Sequence, residues 1–232
     1  MHPLNDYLAR YFFDRLQLAE ASAVSPELFD DLVSRRLIPA PSYVVKDSQV
    51  SSAVFGTMSA PGAAEGQYFH RDMDVWVQLA AECCSRAQPY ELLRNRFTSN
   101  LRIALSDLDR TVWRLRDSFR DDASLVADGI AARCDSMWQH FLEGTYGLCV
   151  ARPLSEHAIA RKEVLQEKLV ALTDNGSRTH FSAEQRQVVE ETITAYAEAC
   201  MPFSPVDYPR SSRKRLVDDF RQLTAHASAR AM

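Results

Sequence analysis

The sequence predicts a mainly α protein, with a small helix–turn–helix head carrying a short β-wing and a helical bundle behind it. Three observations carry that expectation. Only seven glycines occur among 232 residues rich in Ala, Leu and Arg, a composition that favours helix. Leu93, Phe97, Leu101, Ala104, Leu108, Val112, Leu115 and Phe119 step by threes and fours, the period of one helical face over roughly seven turns. Finally, residues 16–24 and 25–39 have the pattern of two short helices around a tight turn, a pair that usually lays its second helix in a DNA groove.

Taken in chain order, residues 4–15 place Leu4, Tyr7, Leu8, Tyr11 and Phe12 on one helical face. Ser25 is a good N-cap, and Pro26 suits the first helical position because its φ is preset and its missing N–H has no partner there. Pro39 and Pro41 stop that helix. Residues 42–46 read as a strand, and Gly66, Gln67, Tyr68 and Phe69 as its return, with a long Ser/Gly/Ala-rich loop between them. A helix starting at His70 or Asp72 carries Val75, Trp76 and Leu79. Beyond the long stripe, Val126, Ile130, Cys134, Met137 and Phe141 mark a helix that ends at Gly144. Further helices fit 155–173, 182–200 and 211–226, and Ser182 with Gln185 makes a capping box for the second of these. The expected division is a head at 1–88 and a helical bundle at 89–232.

Composition excludes several classes. The net charge of −4 gives no global attraction to nucleic acid or anionic membrane. Cys83, Cys84, Cys134, Cys149 and Cys200 are odd in number and lack paired C-x-x-C spacing, so they read as reduced thiols of a cytoplasmic protein, with no metal site. No apolar stretch approaches membrane-spanning length, no secretion signal opens the chain, and no nucleotide, metalloprotease or hydrolase signature is present. No cofactor is expected.

Two resemblances follow from particular residues. The helix–turn–helix order, the run Leu37–Tyr43 with Arg36-Leu37-Ile38-Pro39 after the second helix, and Tyr68-Phe69 before an acidic helix start resemble the MerR-type DNA-binding domain. That family commonly has a glycine where this chain has Arg36, and its wing is shorter and more basic. The resemblance implies a MerR-like head over the first third of the chain. Separately, the spacing Trp138, Phe141, Gly144, Tyr146-Gly147-Leu148-Cys149, with Lys162, Pro202-Phe203-Ser204-Pro205 and Ser211-Ser212-x-Lys214, resembles a bacterial family of otherwise unknown function. Its members are described as natural-product biosynthesis proteins. That likeness implies a context and no catalytic residues.

The head's electrostatics oppose DNA binding. Residues 1–90 hold seven Lys/Arg against eleven Asp/Glu, and phosphate contacts dominate affinity for DNA. The second helix opens with Glu27, Asp30 and Asp31 and no cation. Arg35, Arg36, Lys46 and Arg71 are the candidate DNA contacts if the protein is a regulator, a sparse footprint.

Chemistry has four further candidates. His70 lies beside Asp72 and Asp74, either an acid/base pair or simply a helix start with acids favoured by its dipole. The turn Gly144–Cys149 sets His140, Tyr146 and Cys149 close in sequence; Cys149 reads as a nucleophile activated by His140 or His157, or as a buried filler. His140 and Glu143 share a ligand-like spacing without a second pair to complete a metal site. In the stretch Arg210, Ser211, Arg213, Lys214 and Arg215, the last three cations fall in the first turn of a helix, where they oppose its dipole; they read either as recruiting an anion or as salt-bridging to Asp218, Asp219 or Glu190. The expected function is an accessory protein of bacterial natural-product biosynthesis that binds a pathway or carrier protein, or a small anionic intermediate, through its helical part. The alternatives are a MerR-like regulator and a pathway enzyme centred on Tyr146 and Cys149. The 93–119 stripe reads first as packing within the chain, with a homodimer face as its alternative use.

Overall fold

At residue 12 the chain leaves its first helix for a strand. In the computed structural model, which describes residues 3–108, 117–120, 122 and 124–223, α1 (Pro3–Tyr11) buries Leu4, Tyr7 and Leu8. Phe12–Asp14 then forms β1. Asp14 caps α2 (Arg15–Ala21) in a capping box with Gln17, and Ser25 caps α3 (Pro26–Ser34) with Pro26 in the first turn. The two short helices around a turn are therefore where the sequence puts them. The sheet beside them is larger than expected. β2 (Tyr43–Lys46), β3 (Gln49–Ser52), β4 (Gly56–Ser59) and β5 (Gly66–His70) join β1 in the order β1-β5-β2-β3-β4, every pair antiparallel.

The expectation of a mainly α chain with a MerR-like winged head is thus corrected. The protein is mixed α/β, 61% helical and 11% strand, with a five-stranded antiparallel sheet across residues 12–70. The reasons are local. Phe12 sits in an aromatic run that also fits a helical face, so β1 is hidden in the α1 pattern. The long loop folds into an extra hairpin, β3–β4, whose residues are mostly Ser, Thr and Gly, with Val50 buried and Met58 only partly so. Asp47 and Ser48 both take positive φ, as a two-residue hairpin turn requires, though neither is the glycine that usually signals one.

Behind the sheet, α4 (Asp74–Cys83) and α5 (Pro89–Asp107) lead into α6 (Ala127–Leu142), α7 (Thr145–Cys149), α8 (Glu156–Leu172) and α9 (Ala183–Ala199). A last helix, 212–223, contains a π-turn at Lys214–Asp219. The long stripe is shorter than its period implies. Leu93, Phe97, Leu101 and Ala104 are buried on α5, which ends at Asp107, with Leu108 extended. Val112 and Leu115 lie outside the described residues, and Phe119 instead bridges Leu125. The stripe serves packing within the chain, against an aromatic cluster of Trp76, Phe97, Trp138 and Phe141. No helix among the described residues is long and apolar enough to cross a membrane.

Sheet and helices are stitched together by polar contacts. The Ala40 N–H donates to Leu142 O, the Ser42 hydroxyl to Gly144 O at 3.0 Å, and the Trp76 indole to Pro153 O at 2.7 Å. Tyr43 reaches across from β2 to donate to the buried Asp207 carboxylate at 2.5 Å, where the Ser204 hydroxyl also donates.

His70 belongs to this seam. It is buried edge-on against Phe12, and its Nδ1 accepts the Asp72 N–H at 3.1 Å, capping the turn before α4. Burial pulls its pKa down from 6.5 to about 4, against the opposing pull of Asp72. A depressed histidine stabilises the fold above its unfolded pKa, and that stability is lost as pH falls through the folded value. The protein should therefore lose on the order of 2–3 kcal/mol from this group between pH 6.5 and about 4. His70→Asn, which retains a capping acceptor, should show a flatter loss in urea unfolding across that window. An unchanged slope in the variant would contradict the assignment.

Candidate functional site

The tip of the β3–β4 hairpin, the α6–α7 turn, α8 and the segment 203–215 surround a cleft of about 420 Å3. That volume suits a small organic ligand. Val54 and Phe55 come from the hairpin tip, His140 and Glu143 from the end of α6, and Tyr146 and Cys149 from α7. Lys162, Glu163 and Gln166 come from α8, and Phe203, Arg210, Ser212 and Arg215 from the C-terminal segment.

The floor is a satisfied polar network. Lys162 is almost wholly buried, and its Nζ donates to Glu163 Oε1 at 2.9 Å and Gln166 Oε1 at 2.8 Å. Tyr196 donates to Gln166 at 3.2 Å and shares a 2.7 Å bond with Ser212. Burial opposes the Lys162 charge, but its neighbours, with the Glu163 carboxylate the charged one in direct contact, hold the pKa well above the ordinary lysine range. Burial pushes the Cys149 thiol up to about 12, only partly offset by Lys162, and raises the Tyr146 phenol well above its usual range. Cys149 therefore stays a neutral thiol, unlike an activated nucleophile, which needs a depressed pKa.

The cationic stretch is divided by the fold. The Arg210 guanidinium donates to Phe55 O at 3.1 Å, contacts Met58 Sδ, and lies over the Phe55 ring at 5.3 Å. Arg213 turns away to cap the end of α9, donating to Ala197 O and Cys200 O. Lys214 pairs with Asp219 at 2.5 Å. Ser211 is buried, and its Oγ accepts the Lys214 N–H. Arg215, exposed at the start of the π-turn, faces the cleft. A π-turn shifts side chains from their α-helical directions and is frequent at functional sites. Of the five residues read as an anion site, Arg210 and Arg215 line the cleft, while Ser211, Arg213 and Lys214 hold the local structure.

The other candidates separate in the same way. Arg35 pairs with Asp31 at 2.8 Å and donates to Cys84 O, Arg36 donates to Gln139, and Arg71 donates to Ala9 O and lies over Phe13. Asp30 pairs with Arg15 at 2.6 Å. The acids of α3 and the arginines near it thus bind one another or the fold, while Lys46 lies at the exposed end of β2. His140 and Glu143 approach to 3.5 Å on the cleft rim. His157 is not among the cleft residues. Among the described residues no group of three or more His, Cys, Asp or Glu is placed to hold a metal.

A family of unknown function (DUF6058) matches residues 93–225, more than half of the chain. The chain belongs to that family. No curated protein and no solved structure matches it. The match covers every cleft residue except those of the hairpin tip, which the N-terminal part supplies.

Sequence reasoning placed His140, Tyr146, Cys149, Arg210 and Arg215 among the candidates, and the fold brings these five to one cleft. It missed Glu163, Gln166, Phe203 and the hairpin tip as parts of the same site. A lysine at the buried face of α8 beside a glutamate was the available signal for the first of these. For the thiols the geometry makes a direct prediction. Iodoacetamide should label the half-buried Cys83 and Cys84 in the native protein, with Cys134, Cys149 and Cys200 reacting only on unfolding. Rapid native labelling of Cys149, read by peptide mass spectrometry, would restore it as a nucleophile.

Proposed function

We propose that the protein binds a small organic anion in this cleft, as an accessory protein of natural-product biosynthesis. The supporting observation is the convergence of Arg210 and Arg215 with aromatic walls from Phe55, Phe203 and Tyr146 in one opening of small-molecule size. Guanidinium groups recognise carboxylate and phosphate through paired, charge-assisted hydrogen bonds. Lys162 beneath them is already neutralised by Glu163, so the two arginines on the rim carry the recognition. An intermediate presented free, or on the phosphopantetheine arm of a carrier protein, offers the same kind of anion. The biosynthetic setting rests on the resemblance of the Trp138–Cys149 and Pro202–Lys214 patterns.

Binding, rather than cysteine chemistry, fits a neutral and buried Cys149. Isothermal titration with benzoate and phenyl phosphate tests the reading. Saturable, one-to-one binding of at least one of them is expected. Arg215→Ala should weaken it roughly tenfold or more, since a hydrogen bond to a charged group contributes about 1.5–3 kcal/mol. Absence of saturable binding to both probes, or an Arg215→Ala variant with unchanged affinity, would overturn it.

A further inference from the structure

We infer that Phe55 sets the ligand class of the cleft: an anion carried on a flat ring or similar planar unsaturated group, lying against the Phe55 and Phe203 rings while its charge meets Arg210 and Arg215. This rests on the anion-binding reading above.

The β3–β4 turn is an unusual place for apolar side chains. Hairpin tips normally carry small or polar residues, yet this one carries Ala53, Val54 and Phe55, with Val54 47% exposed. Local choices that conflict with their setting concentrate at functional positions. The tip also contains no acid between Val50 and Pro61, so nothing on it repels an approaching anion.

The ring geometry gives the tip a shape. Phe55 and Phe203 meet at 86° with centroids 5.9 Å apart, two nearly perpendicular ring planes that form an apolar corner. A planar group can lie along one wall and abut the other, an arrangement in which aromatic groups attract beyond simple burial. The Arg210 guanidinium lies 5.3 Å from the centre of that same Phe55 ring. Charge and plane are therefore recognised side by side, which selects molecules whose anion is attached directly to, or one bond from, the flat group.

Beside its ring contacts with Phe203 and Arg210, the hairpin has a main-chain attachment that does not involve the ring. Arg210 donates to the Phe55 carbonyl at 3.1 Å, and β4 pairs along its length with β3. Phe55→Ala removes the ring and keeps the main-chain latch, so the variant isolates selectivity from closure. Because the tip lies outside residues 93–225, the family-matched helices supply the charged part of the cleft and the N-terminal hairpin supplies the selective wall.

The test compares ring and ringless anions of the same charge: benzoate against acetate, and phenyl phosphate against methyl phosphate, titrated into wild type, Phe55→Ala, Phe55→Leu and Arg215→Ala. Wild type is expected to prefer the ring member of a pair by about tenfold or more. Phe55→Ala should lose about tenfold for the ring member and leave the ringless member within roughly twofold, with Phe55→Leu intermediate. Arg215→Ala should weaken both members alike. If Phe55→Ala leaves the ring preference intact while Arg215→Ala weakens binding, this inference falls and the anion site stands. If wild type binds no member of either pair, the anion-site reading itself falls. A circular-dichroism melt of Phe55→Ala close to wild type keeps the comparison one of binding.

Discussion

The arrangement depends on how closely the segment 40–42 lies against the turn between α6 and α7. The carbonyl oxygens of Ala40 and Pro41 occupy the space that a Cβ at Gly144 would need, and the Ser42 hydroxyl occupies the space at Gly147. A side chain at either position would fall within 3.0 Å of its neighbour, closer than real Cβ atoms come. Gly144 also takes φ of +78°, which L side chains adopt only with strain. The two glycines thus let the connector before the sheet press on the helical part and exchange hydrogen bonds with it. Without that approach α7 would stand off, and Tyr146 and Cys149 would not line the cleft.

From this contact the rest of the site follows. β2, running on from the nested connector, brings Tyr43 to Asp207 and so fixes the segment that carries Phe203 and Arg210. The same sheet extends through β3 and β4 to place Phe55 under the Arg210 guanidinium. Burial raises the Asp207 pKa, with the Tyr43 and Ser204 hydrogen bonds pulling the other way. Two hydroxyls hold the Asp207 carboxyl group directly, and Arg210 acts on it only through its charge while its hydrogen bonds go to the hairpin. Beneath, the charge of Lys162 is met by Glu163 within the floor, so the arginines at the rim set the sign of ligand the opening accepts.

Much of the helical part is legible in the sequence because its periodicity is strong and its caps are conventional. Ser25 with Pro26, and Ser182 with Gln185, mark helix starts that the fold confirms. The sheet is far less legible. Phe12 alternates with neighbours that equally satisfy a helix, and β3 is pinned by a positive-φ Asp47-Ser48 turn and by pairing with β2, and β4 by pairing with β3, not by alternating large hydrophobics. The site is half legible for the same reason. Arg210 and Arg215 stand out as cations in an unfavourable place, but their neighbours Arg213 and Lys214 look identical in sequence and are diverted by contacts with α9 and Asp219 that only the folded chain makes. In the sequence Gly147 is only part of the Gly144–Cys149 turn, whereas the fold needs it for close approach to Ser42 and His70.

Gly144→Ala, followed by urea unfolding, tests that close approach most directly. A left-handed φ alone costs an alanine about 1–2 kcal/mol, and forcing a methyl group into packed backbone adds a further 1–3 kcal/mol or so. A loss above about 2 kcal/mol is expected, with the unfolding midpoint falling accordingly. A loss confined to about 1–2 kcal/mol would mean that only the backbone angle matters at Gly144, and that the sheet and helices are not held together by this contact.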